Sequence, residues 1–135
     1  MTADGLVTIL SASDPQETAR RFVAEIAAAQ MTVFARIDHA AAATQAGLEL
    51  PPTEVIIFGN ARAGTPLMVA APTLGIDLPL KVLVWCDSTA QTWLSYNDPS
   101  WLMRRHGLSR DENGVAARMS NMLATIASKV TGPAQ

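Results

Sequence analysis

The sequence predicts an α+β fold: a single domain over residues 1–135 in which a mostly antiparallel sheet carries two main helices on one face. Three observations predict it. Short runs rich in Val, Ile and Leu bunch together, and the amphipathic segments lie outside that bunch. Two of the runs, "LKVLVWCD" and "QTWLSYN", are joined by a turn too short for a crossover. A chain of 135 residues is long enough to bury roughly two thirds of its unfolded surface.

The first strand is "GLVTILSA", residues 5–12, short and β-branched. "SDPQETARRFVAEIAAAQ" is the clearest helix: Asp14 caps, Pro15 fits the first helical position and Glu17 stands where a capping box wants it. Ala19, Phe22, Val23, Ile26 and Ala29 make its apolar stripe, and Glu17, Arg21 and Glu25 make exposed pairs at four-residue spacing. "MTVFARID" reads as a strand and "HAAAATQAG" as a short helix or turn ending at Gly47. Then come the strand "EVIIF" and, after "GIDLP", the two hairpin strands. In the first of these, Lys81, Leu83, Trp85 and Asp87 share one face and Val82, Val84 and Cys86 the other. "DPSWLMRRHG" repeats the Asp-Pro helix start, with Asp98 as cap and Gly107 as stop. The last helix is expected from about Asp111 to Val130, its apolar side formed by Val115, Met119, Met122, Leu123, Ile126 and Val130.

Composition narrows the function classes. The apolar fraction is 49% and the charged fraction 16%, a surplus of core formers that favours a further buried surface such as a homodimer interface. Net charge is −2 with no basic stripe, so nucleic acid is not an expected partner. No run approaches 18 uninterrupted apolar residues, so no membrane span is expected. The N-terminal "MTADGLVTIL" lacks the basic region of a signal peptide, and the single Cys86 suits a reducing compartment; the expected location is the cytoplasm. Two histidines and one cysteine, widely scattered, do not make a zinc signature; a neutral His39 imidazole could ligate a metal or haem, and the residues leave the cofactor open.

"VIIFGNARAGTPLM" nearly spells a phosphate-binding loop: a strand, Gly59, four residues, Gly64, Thr65. The lysine that would serve the outer phosphates is absent, and Pro66 follows Thr65. A strand–turn–helix corner explains the residues better, with Thr65 as cap and Pro66 in the first turn. A weaker idea survives: a helix N-terminus near Arg62 that attracts a carboxylate or a phosphate.

"IDHAAAATQAGLELPPTEVIIFGNARAGTPLM", "GIDLPLKVLVWCD" and "WLSYNDPSWLMRRHGL" resemble the DUF302 family, whose structures are called TT1751-like. The resemblance runs over residues 5–108. It implies a strand–helix–four strands–helix fold, commonly dimeric, without implying an activity. The matching positions are His39, Phe58-Gly59, Leu67-Met68, Leu78-Pro79, Asp87, Tyr96, Pro99 and His106. The chain departs from the pattern at Ala61, where the family has Pro, and at the hairpin "STA", where the family favours Gly.

The leading expectation is a dimeric protein that binds a small apolar or anionic ligand between the sheet and the short helices. His39, after Asp38 at a helix mouth, would supply the polar contact. Phe58, Gly59, Asn60, Gly64 and Thr65 would supply the backbone donors and their setting; Met68, Trp85 and Tyr96 would supply walls. Met103, Met119 and Met122 are candidates for an adaptable facing wall. One alternative is an enzyme with His39 as general acid or base, oriented by Asp87 or Asp38. Another is a structural or partner-binding module with no small ligand. His106, near a helix C-terminus, is read as structural.

Overall fold

The computed structural model describes residues 3–108 and 114–133. The elements follow as β1 (Leu6–Leu10), α1 (Pro15–Ala28), β2 (Thr32–Asp38), α2 (His39–Gln45), β3 (Thr53–Gly59), α3 (Ala61–Ala70), a short 3-10 helix (Pro72–Ile76), β4 (Leu80–Cys86), β5 (Thr92–Asn97), α4 (Pro99–Arg105) and α5 (Val115–Thr131). The strands form one sheet in the order β1-β5-β4-β3-β2, and every neighbouring pair is antiparallel. The expected α+β class is what folds, with α3 and the 3-10 helix inserted between β3 and β4. Asp111, the expected start of the last helix, lies outside the described residues.

Alternation along the strands sorts side chains to two faces. Ile56, Phe58, Val82, Val84, Leu94 and Tyr96 join the core with Phe22 and Ile26 of α1 and with Leu123, Ile126 and Val130 of α5. The Phe22 ring meets Phe58 edge-on, centroids 5.1 Å apart and planes at 73°, which fixes α1 over β3. The opposite face carries Leu6, Thr8, Leu83, Trp85, Trp93 and Ser95.

Caps set the helix limits. Asp14 Oδ1 accepts the Glu17 N–H at 2.7 Å, and Pro15 follows at the first helical position, where its missing N–H costs nothing. The expected exposed pairs on α1 fall differently. Glu17 pairs with Arg20, one residue nearer than expected. Arg21 donates instead to the Lys129 and Gly132 carbonyls, and Glu25 meets Lys129 at 2.9 Å. The reason is that α5 ends beside this face, and its last carbonyls need donors. Arg21 supplies them.

The corner after β3 is also corrected. Asn60, not Thr65, is the cap: extended at φ −142, its side chain accepts the Arg62 N–H at 2.8 Å. Gly64, Thr65 and Pro66 therefore lie inside α3 rather than before it. Asn is among the strongest caps, and the Ala61-Arg62-Ala63 that follows propagates a helix readily. Pro66 removes one N–H from the helix ladder without ending the helix.

Candidate functional site

Register separates the sheet into two ends. Thr32 faces Gly59 and Phe58 faces Leu80 at one end; Asp38 faces Glu54 and Thr53 faces Trp85 at the other. At the Gly59 end, a β-bulge between Val33 and Ala35 gives Phe34 a place outside the regular pairing. A Cβ on Gly59 would sit 3.5 Å from Pro79 Cβ and 3.8 Å from the Phe34 ring, so this backbone passes closely between them. The Leu78–Pro79 peptide is cis, and both residues face the same space.

That space is a cavity of about 200 Å³ between the sheet end, α3 and α5. Met31, Met68, Met119 and Met122 dominate its wall, with Phe34 and Leu78. Asn60 and Thr65 are its polar side chains. Thioethers are polarisable and flexible, so such a wall adapts to an irregular apolar occupant. A second cavity, of about 380 Å³, lies between α3 and α5 and shares Ala63, Met119 and Met122 with the first. Arg62 and Arg118 line it, and among the described residues no Asp or Glu lines either cavity.

The far end of the sheet is built differently. Trp85 and Trp93 stack with centroids 6.1 Å apart, planes at 23°. Both indole N–H groups are held internally: Trp85 donates to Ser95 Oγ at 2.9 Å and Trp93 to Asp87 Oδ2 at 2.8 Å. Thr8 Oγ1 also meets Ser95 Oγ at 2.9 Å. The Trp93 indole, then Thr89 and the Gln91 N–H, hold the Asp87 carboxyl down at about 2. Asp87 thus closes the β4–β5 turn.

His39 is exposed at the first residue of α2, and the carboxylate before it is committed: Asp38 Oδ1 accepts the Ala41 N–H at 2.9 Å. From Thr32 to Asp38 is six steps of strand, so His39 stands ~20 Å from the Gly59 end. His106 ends α4 in a hydrogen-bonded chain. Thr73 Oγ1 lies 2.8 Å from Nδ1, Nε2 pairs with Asp77 Oδ2, and Arg105 reaches the same oxygen at 2.6 Å. Burial pushes the Asp77 carboxyl up, but His106 and Arg105 outweigh it and hold it below the usual range. This cluster ties α4 to the 3-10 helix. Among the described residues, no three of His, Cys, Asp and Glu form a metal-holding group.

Of the ten expected ligand contacts, Gly59, Asn60, Gly64, Thr65 and Met68 come together at the cavity. Phe58 and Tyr96 are core residues, Tyr96 only 6% exposed. Trp85, Asp87 and His39 belong to the far end. The wall residue Met103 is buried in the core instead. Met31, Phe34 and Leu78 were not expected in the cavity. Phe34 had no sequence signal, because a bulge does not show in alternation; the family motif Leu78-Pro79 was the available hint for the last.

The family model described as "Domain of unknown function DUF302" matches residues 7–126. A crystal structure of an uncharacterized conserved DUF302 protein from Bacillus stearothermophilus superposes with a TM-score of 0.82, covering 96% of this chain and all of that one at 17% identity. Among curated proteins, fluoride-specific ion channel FluC 1 of Brucella suis and FluC 2 of Brucella melitensis are each 50% identical over 109 residues. The match covers 79% of this chain but only 43% and 40% of those relatives.

Proposed function

The chain belongs to the DUF302 family, a domain of unknown function, and from that premise we propose that it is a small-ligand-binding protein, homodimeric and cytoplasmic, with its pocket at the Gly59 end of the sheet. One observation carries the reading: the methionine-lined cavity of about 200 Å³ on which Gly59, Asn60, Gly64, Thr65 and Met68 converge. An apolar chamber with a few polar groups at its rim is the common form of a ligand site. The proposed dimer draws on the sheet face turned away from α1 and α5, where Leu10 is 48% and Ile37 43% exposed on the same face as the tryptophan pair.

An enzyme built on His39 draws less support. Asp38 spends its carboxylate on a helix cap and Asp87 spends its own on Trp93 and the hairpin turn, so neither orients the imidazole. The channel activity in the Brucella names is not proposed for this chain, whose match covers only 43% and 40% of those relatives.

The test uses the neutral dye N-phenyl-1-naphthylamine and a plugged variant. A Cβ at Gly64 would meet Leu78 Cδ1 at 3.7 Å and Met68 Cε at 3.9 Å, ordinary contacts, so Gly64→Leu places its branch in the cavity without a backbone clash. The native protein is expected to enhance dye fluorescence saturably and Gly64→Leu to lose that enhancement with its melting temperature kept. Equal enhancement in both, or none in the native protein, contradicts the reading.

A further inference from the structure

Resting on the pocket reading above, we infer that the occupant is an amphipathic monoanion, an alkyl carboxylate in its simplest form, with its chain among the methionines and its head on Arg62. The two cavities meet along Ala63, Met119 and Met122, so an apolar chamber opens beside an arginine-bearing one. Their charge pattern runs against the chain as a whole, which carries −2. Among the described residues, arginine is the only charged residue type that lines them.

Among the described cations, Arg20, Arg36, Arg105 and Lys129 are each paired with a carboxylate, and Arg21 and Lys81 donate to carbonyls; Arg62 and Arg104 have neither kind of partner, and of these two Arg62 lines a cavity. The Arg62 guanidinium has no such partner among the described residues, while its backbone N–H is fixed by Asn60. Arg118, engaged with another group, lines the same cavity. The N-terminus of α3 acts in the same sense as the Arg62 charge, since its peptide dipoles point their positive end toward Asn60.

Size sets the chain length. At roughly 30 Å³ for each carbon, the space that one water occupies, a cavity of about 200 Å³ holds about seven. Octanoate has that many behind its carboxylate. An apolar pocket with no cation would favour the neutral alcohol, because a carboxylate costs more to desolvate. A preference for the acid is therefore diagnostic of the guanidinium.

Calorimetric titration with octanoate, octanol and octylammonium tests the inference. Octanoate is expected to bind roughly fivefold or more tightly than octanol, and octylammonium least. In Arg62→Gln, octanoate affinity is expected to fall below that of octanol while octanol is unchanged; Arg62 is exposed, so the fold is kept. Octanol binding the native protein as tightly as octanoate, or an unchanged octanoate affinity in Arg62→Gln, overturns the monoanion inference and leaves the pocket standing. Binding of none of the three overturns it too, and combined with no dye enhancement it removes the pocket as well.

Discussion

Ala90 sits in the left-handed region at φ 64, inside the turn that Asp87 organises. That conformation costs an L-residue about 1–2 kcal/mol, and glycine's extra unfolded freedom gives back about 0.4–1. Ala90→Gly is therefore expected to stabilise by roughly 0.5–1 kcal/mol in urea unfolding. Gly5 is the reverse case: φ is +72, and a Cβ there would fall 2.2 Å from the Trp101 ring. Gly5→Ala is expected to cost about 2 kcal/mol or more, by strain and overpacking together. Asp87 makes a pH prediction. Its folded value of about 2 lies below the ordinary 3.8, so its contribution is present above pH 4 and lost as pH falls through 2. The stability advantage of the native protein over Asp87→Asn should shrink steadily between pH 5 and 2. The family departure at "STA" flagged this turn in the sequence; the bond from Trp93 to Asp87 did not show, because an acceptor six residues from an indole is one of many.

At the scale of elements, most boundaries were legible because caps are local. Asp14, Asp38 and Asp98 each accept a backbone N–H at the start of the helix that follows. The start of α3 was misplaced because glycine and Thr-Pro both signal a loop end, and Asn60 outcompeted them by capping five residues before Thr65. Two variants weigh that account. Asn60→Ala should cost about 1 kcal/mol, the usual loss of a cap. Gly64→Ala should stabilise by roughly 0.5–1 kcal/mol, because Gly64 is in the helix and its Cβ has room. Destabilisation by Gly64→Ala would mean that the segment needs glycine's freedom after all.

The whole molecule divides into a helix-covered face, a tryptophan-bearing face and a cavity at one end of the sheet. The sequence pointed to the covered face through its apolar periods, which repeat locally. It did not show that His39 and Gly59 lie at opposite ends of one hairpin, because that depends on the pairing register. The proposed dimer predicts that Leu10→Lys with Ile37→Lys, both on exposed side chains of the open face, raises the dissociation constant roughly tenfold or more in sedimentation while the fold persists. The cavity is tested most directly by its own methionines. Four of the chain's six, Met31, Met68, Met119 and Met122, line it, and Met103 is buried apart from it. With ¹³C-labelled methionine methyls, saturating octanoate should shift the resonances of those four and leave Met103 in place. A titration in which the four stay still, or in which Met103 moves with them, would contradict a ligand site at the Gly59 end.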